Sequence, residues 1–327
     1  MSVRTPRVIH TARAPVDVVV EVPALPRRGG NVMASTVTRY AGGAVTILLA
    51  AVRSGATAVH AGAHGRGPNG DLVRETLAAE GVSLSAPITE GRDTGICVVM
   101  IEPSAERTFV TTREAERQIT PQSLQTSNPT AGDPVCVSGY SFVGMTRDPL
   151  ITRLESLPDE VVVVLDPGAV FAELDSSLRS RIVALTDVWT GNGEESEDFG
   201  GAKGMGPAAE AVAALLKPGA VAVVRDGEEG CAVHADGVTT LVPGFPEKAI
   251  DTNGAGDTHT GVLLAERAKG AARPDACRRA NAAGAIKVTR RGPTSAPTVQ
   301  EIDAYLDAPD PALPHLLEVV RFGCGSP

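Results

Sequence analysis

The residues Asp251-Thr252-Asn253-Gly254-Ala255-Gly256-Asp257-Thr258 set two carboxylates around a Gly-Ala-Gly turn, and the apolar run 261–265 follows at once. Glycines carry no Cβ, so the backbone can turn its N–H groups toward a ligand. The free N–H groups and the dipole at a helix start favour an anion such as phosphate. An aspartate beside a bound phosphate would repel it unless it had a task of its own. The task that fits is to take a proton from a hydroxyl attacking phosphorus, because phosphoryl transfer needs an oriented nucleophile and neutralised charge. On spacing alone a second reading stands beside this one: Asp257 caps a helix after a glycine-rich loop, as aspartate often does.

Such a loop must be held by elements the chain supplies. From Pro134 onward, strand-like runs at 135–138, 161–166 and 221–224 alternate with helix candidates at 149–157, 177–185 and 208–216. Continuous apolar strands separated by helices predict a parallel sheet covered on both faces, with ligands gathered at the carboxyl ends of its strands. Earlier, residues 16–22 read as a strand with Asp17 inside it, a carboxylate that needs a partner. Ala41-Gly42-Gly43-Ala44-Val45-Thr46 opens a helix through Arg53, and 57–62 reads as a buried strand. Gly65-x-Gly67-x-x-Gly70 then leads into a helix over 72–80. That spacing fits a dinucleotide fingerprint, but a strand and a helix precede it and a Pro-Asn pair fills the turn, which disfavours the reading. Residues 94–101 and 107–111 read as two further strands, 274–289 as a long helix, and 313–320 as a short one.

Composition narrows the classes. A net charge of −9 gives no electrostatic case for nucleic acid or anionic membrane, and 3% aromatic residues leave little for base stacking. The five cysteines are scattered, with no Cys-x-x-Cys pair, which argues against a disulfide framework or zinc site and fits a reducing cytoplasm. Apolar runs such as 45–52 are far shorter than the roughly 20 residues that span a bilayer. Residues 1–14 lack the apolar core of a secretory signal. The expectation is a soluble cytoplasmic protein.

Asp251-Thr252-Asn253-Gly254-Ala255-Gly256-Asp257 resembles the C-terminal signature of the ribokinase-like sugar kinases, the phosphofructokinase-B family, and weaker matches follow in the family's order along nearly the whole chain. The resemblance implies a ribokinase-like α/β fold over 1–327 as one domain: a doubly wound, mainly parallel sheet with helices on both faces. A small β-sheet lid is expected with strands within 15–31 and 93–112. The implied activity is ATP-dependent phosphorylation of a hydroxymethyl group on a sugar or sugar-like acceptor. Asp257 would be the base, and the N–H groups of Gly254, Ala255 and Gly256 the anion hole.

Asp17, Asn31, Gly42, Gly43, Thr46 and Asp251 fall where the resemblance implies contacts to the acceptor. Asn192-x-x-Glu195 resembles a motif whose carboxylate helps hold hydrated Mg2+, and one Glu near phosphates suffices for that ion. Arg225-Asp226-Gly227-Glu228-Glu229-Gly230 resembles a turn beside the nucleotide phosphates, and Asn281 lies where relatives approach the adenine. Relatives hold a monovalent cation (K+) with carbonyls near Asp251 and at 290–293, and the lid is the candidate surface for a homodimer. The chain departs from the family in three places. Thr46 stands where relatives carry Asn, no Arg follows Asp166-Pro167, and Arg225 replaces a Thr. Two alternatives therefore stay open: a nucleoside kinase of the same fold (pseudouridine-type, with Phe109 as one of few aromatic candidates for a base contact), and a catalytically weak sugar-binding regulator.

Overall fold

The β-branched runs pair into one nine-stranded sheet in the computed structural model, which describes residues 5–308 apart from Ala105. The expected helix at 313–320 lies outside the described residues. From one edge the strand order is Val238–Pro243, Gly230–Ala235, Val221–Arg225, Val188–Asn192, Val162–Asp166, Pro134–Ser138, Arg7–His10, Thr57–His60 and Ser83–Leu84. The seven strands from Val221–Arg225 onward are parallel, and the first two form an antiparallel hairpin on the edge. Alternate residues of a strand face opposite ways. Val135, Val137, Val163 and Leu165 accordingly join a core with the helices Arg147–Glu155 and Ser176–Leu185. Cys136 and Val164 face the other way, into a core with Ala44–Arg53 and Ala255–Ala268. Burial on both faces explains why these strands read as unbroken apolar runs.

The parallel strands end on polar residues. His10, Ser138, Asp166, Asn192 and Arg225 are the last residues of five of them. The helix Ala255–Ala268 is pressed against Ala44–Arg53 at Gly261, where a Cβ would lie only 2.3 Å from the carbonyl oxygen of Ile47. The two helices meet backbone to backbone, and their N-terminal ends carry Gly43–Thr46 and Gly254–Asp257.

A separate four-stranded sheet runs in the order Thr36–Ala41, Val16–Glu21, Ile96–Ile101 and Arg107–Thr111. Three of its strands fall within the ranges expected for the lid. Thr36–Ala41 lies outside them; its residues Thr36-Val37-Thr38-Arg39 are exposed, so its strand state comes from full antiparallel pairing with Val16–Glu21 rather than from an apolar stripe. The interior strand Arg7–His10 and the helix Val299–Asp307 are likewise not among the elements that the sequence predicts. For that helix a signal was present, since Thr298 and Glu301 form a reciprocal capping box. The helix expected over 72–80 begins earlier, with Pro68 in its first turn, and ends at Ala79. Among the described residues no helix is long and apolar enough to cross a membrane.

Candidate active site

The site is built around the first turn of Ala255–Ala268. Its N-cap, Gly254, has φ +81°, and a Cβ there would lie 2.7 Å from the carbonyl oxygen of Pro293, so only glycine fits. The N–H of Ala255 bonds to the oxygen of Thr252 at 3.2 Å and that of Thr258 to the oxygen of Gly254 at 2.9 Å. Neither Gly254 nor Gly256 makes such a backbone bond, which leaves their N–H groups for an anion, with the helix dipole behind them. Ala255, expected as a third donor, is already engaged by the turn.

Asp257 opens from this turn into a cleft of about 360 Å³. The cleft's floor is formed by the strand ends His10, Ser138 and Asp166, and one wall by Gly43, Ala44 and Ile47. The lid contributes Asp17, Cys97, Phe109 and Thr111, which share one face because their strands pair in register. Asp17 lies over Gly42 so closely that a Cβ on that glycine would be 2.4 Å from the carboxylate. Thus Asp17, Gly42, Gly43 and Asp257 are brought together. Asn31 is exposed, beside the sulfur of Met33 at 3.9 Å, and is not among the residues lining the cleft. Thr46 is fully buried behind the wall, its methyl toward Gly254 and its hydroxyl without a hydrogen-bond partner.

Carboxylates crowd this end of the sheet. Burial raises Asp257 to about 6; Asp17 and Glu195 add to the rise, while Arg225 and Lys287 oppose it. Asp166 is likewise raised to about 6 by burial against the pull of Arg225, and Asp17 to about 7 against that of Arg13. Burial and the neighbouring Asp166 also raise Glu195. The Arg225 guanidinium touches Gly256, since a Cβ there would lie 2.5 Å from its Nη1. It donates to the oxygens of Thr190 at 3.1 Å and Gly191 at 3.3 Å, and so bridges two strand ends and the glycine turn before Asp257. The turn after Arg225 is made by Gly227 and Gly230, both at positive φ.

Asn192 and Glu195 form a capping box at the helix Gly193–Gly200. The Asn192 N–H donates to Glu195 Oε2 at 2.9 Å, and the Glu195 N–H to Asn192 Oδ1 at 2.8 Å. The box fixes the glutamate beside Asp166 and Arg225. Among the described residues no three His, Cys, Asp or Glu side chains converge as an all-protein metal cage would need. The surplus negative charge of Asp166, Glu195 and Asp257 fits a magnesium ion that keeps most of its waters. Asn281 has its polar atoms engaged within the protein. Its amide donates to the oxygens of Val242 and Pro243, both at 3.0 Å, and its Oδ1 pairs with His259 at 3.1 Å. It therefore shapes the edge at Val242 and Pro243 instead of presenting a free amide.

Asp251 is not among the residues lining this cleft and ties the loop together: Oδ1 accepts from the Asn253 N–H and Oδ2 from the Gly292 N–H, each at 2.8 Å. Its carbonyl oxygen accepts from the ammonium of Lys287 at 2.7 Å. Burial lowers Lys287 to about 8, with Asp251 opposing the fall. Sequence reasoning missed Lys287, and also His10, Ser138 and Tyr140, which line the cleft or its edge. Ser138 ends a strand that the sequence predicts, so its place at the carboxyl end of that strand was the available signal, whereas His10 ends a strand with no local signal. Tyr140 carries the guanidinium of Arg13 over its ring at 5.2 Å, a contact that no local pattern encodes.

The pattern of the pfkB family carbohydrate kinases matches residues 8–299. The chain is 31% identical over 301 residues to an uncharacterized sugar kinase of Escherichia coli, YegV, covering 90% of this chain and 92% of that protein. It is 25% identical over 297 residues to the ribokinase of Haemophilus influenzae, covering 89% and 95%. Among solved structures, Arabidopsis thaliana ribokinase complexed with ribose and ATP superposes with a TM-score of 0.75 at 21% identity, over 94% of this chain and all of that one. Aminoimidazole riboside kinase from Salmonella enterica does so with a TM-score of 0.75 at 19% identity, over 92% and 100%.

The raised carboxyls give a stability test. A folded-state pKa above the unfolded value means that the folded protein holds protons the unfolded chain releases. The stabilisation is full below the ordinary value of 3.8 and is lost as pH rises through about 6 for Asp257. Asp257→Asn should therefore unfold later than the wild type at pH 8, by about 1–3 kcal/mol, with the gap closing toward pH 4. Denaturant unfolding at both pH values checks this; a gap that widens on acidification would contradict the burial of a strained carboxylate.

Proposed function

Because the chain belongs to the pfkB family of carbohydrate kinases and is a sugar kinase, we propose that it moves the γ-phosphoryl group of ATP onto a hydroxymethyl group of a sugar or sugar-like acceptor. The observation that carries this reading is the position of Asp257. It shares the acceptor-sized cleft with Asp17 and stands one residue beyond the unpaired N–H of Gly256.

Asp257 takes the proton of the acceptor hydroxyl, and the freed oxygen attacks the γ-phosphorus as the bond from that phosphorus to the bridging oxygen breaks, leaving ADP. The N–H groups of Gly254 and Gly256 meet the charge on the transferring group, which is the largest effect such a site can supply. Arg225, seated against Gly256, adds fixed positive charge at the phosphate end of the site. Asp17 orients the acceptor, since a misplaced hydroxyl loses the advantage of proximity. The lid residues Cys97, Phe109 and Thr111 roof the cleft and keep water from competing as acceptor. Magnesium, held through water near Glu195, would neutralise phosphate charge when bound. ATP as donor is supported by the plant ribokinase, whose structure holds ribose and ATP.

Phe109 favours a second acceptor class within the same chemistry. It is 53% exposed and lines the cleft, where a planar base could stack on it. An acceptor panel should therefore hold nucleosides as well as free sugars. An intact Asp257 beside free N–H groups speaks against the regulator reading, because a binder without turnover gains nothing from a base at a phosphate site.

The outward face of the lid supports a homodimer. Val37 and Val110 are 67% and 57% exposed there, and exposed apolar strands invite a partner. Sedimentation should give a dimer for the wild type and a monomer for Val37→Asp; a wild-type monomer at micromolar concentration would rule out the pairing.

Asp257→Asn should bind a non-hydrolysable ATP analogue as the wild type does while its turnover falls by about 10²–10⁴, the usual contribution of a general base. Turnover is to be followed as ADP release across the acceptor panel. Wild-type turnover in the variant would remove Asp257 from the role of base.

A further inference from the structure

Three oxygens converge behind the anion-binding turn: the carbonyl of Asp251, its carboxylate Oδ1, and the carbonyl of Arg290. An oxygen cluster of this kind is what a bare cation seeks, and the family resemblance implies K+ on the carbonyls near Asp251 and at 290–293. In this chain a cation is already there. The ammonium of Lys287, a side chain with no solvent exposure, lies 2.7 Å from the Asp251 carbonyl oxygen, 3.4 Å from that of Arg290, and 3.9 Å from Oδ1 of Asp251. The same oxygens cannot also surround K+ without expelling the ammonium. We infer that Lys287 is a built-in substitute for the monovalent cation, so that the anion-binding turn of this kinase is held in shape without K+.

The neighbouring contacts say what such a charge would do. Arg290 follows the C-terminal end of Arg273–Val288, where helix carbonyls lack partners and the dipole favours a positive group. Asp251 begins the loop that ends at Gly254, and Pro293 packs so closely on Gly254 that a Cβ would lie 2.7 Å from its oxygen. The ammonium thus binds both sides of one joint: the segment before the anion-binding turn and the segment packed beneath it. Asp251 reinforces the joint by accepting from the Gly292 N–H. The lid reaches the same joint, through an ion pair of Arg291 with Glu21 and the Tyr40 ring against Gly292. Lys287 touches neither reactant and is a positioning residue. A lysine is suited to the task because its three donors sit on a compact point charge.

The geometry of the joint does not depend on the proposed phosphoryl transfer, so the first test reads stability alone. The melting temperature of the wild type is measured in K+, Na+ and tetramethylammonium chloride at constant ionic strength, and again for Lys287→Ala. The wild type should melt alike in all three salts. Lys287→Ala should melt lower in tetramethylammonium and regain stability saturably with K+, as a ligand bound only to the folded state requires. The second test reads the site itself. Affinity for an ATP analogue should be independent of K+ within twofold in the wild type. In Lys287→Ala it should fall at least tenfold without K+ and recover with it.

A saturable response of the wild type to K+ in either measurement overturns the inference. So does a variant equally impaired in every salt, which would make Lys287 a packing residue only. If Lys287→Ala fails to fold, the wild-type titrations decide alone. If the kinase reading failed while the melting pattern held, Lys287 would still be the internal cation of this joint.

Discussion

Four carboxyl groups from distant parts of the chain, Asp17, Asp166, Glu195 and Asp257, are gathered at the carboxyl ends of the parallel strands and the roof above them. Burial raises the pKa of each, and neighbouring carboxylates raise Asp166, Glu195 and Asp257 further. The folded protein holds this arrangement only because Arg225 reaches in from the end of its strand and Lys287 stands behind the turn, both lowering Asp257. A half-buried cluster of this kind is unfavourable for stability in the free protein. On the proposed reading, a magnesium ion held through water near Glu195 would offset that repulsion, and the backbone N–H groups of Gly254 and Gly256 would face the phosphates. On the proposed reading, the same crowding tunes Asp257 toward neutrality, where a general base works best.

The rest of the fold serves to keep that arrangement from relaxing. The backbone-to-backbone contact at Gly261 fixes the helix bearing Asp257 against the helix that begins at the wall of the cleft. The parallel sheet sets strand ends beside one another: Asn192 pairs with Arg225, and Ser138 with Asp166. The lid closes from the other side, and its in-register strands place Asp17, Cys97 and Thr111 on one line across the sheet. None of these contacts is chemically unusual. Their effect comes from acting on one point from several directions, as a preorganised site requires.

Much of this was legible in the residues. The apolar strands at 161–166 and 221–224, the glycine turn before Asp257, and the helix through Arg53 carry strong local signals, and each formed close to where it was expected. What stayed hidden was decided by partners distant in sequence. Thr36–Ala41 has no apolar stripe and is a strand through its pairing. Arg7–His10 is four residues long, yet it pairs on both sides within the sheet. Asn281 reads as a free amide until Val242, Pro243 and His259 are brought to it. Lys287 reads as one more basic residue on a long helix, and only the fold reveals that its ammonium is buried on carbonyl oxygens. Charge and hydrogen-bonding capacity can be read from a sequence, whereas their partners depend on long-range topology.

The central claim is that Asp257 is a base whose ionisation is set by burial and by the surrounding charges, and the pH dependence of kcat/KM measures this most directly. The acid limb of that profile reports the free enzyme's base. For the wild type it should fall near pH 6, well above an ordinary aspartate, with the carboxylate cluster titrating as a unit. Replacing Arg225 by Gln removes a charge that lowers Asp257, so the limb should move to higher pH. The nucleotide's own ionisation is common to both enzymes and cancels in the comparison. A limb that stays in place in Arg225→Gln, or one at the pH of an unperturbed aspartate, would contradict the claim.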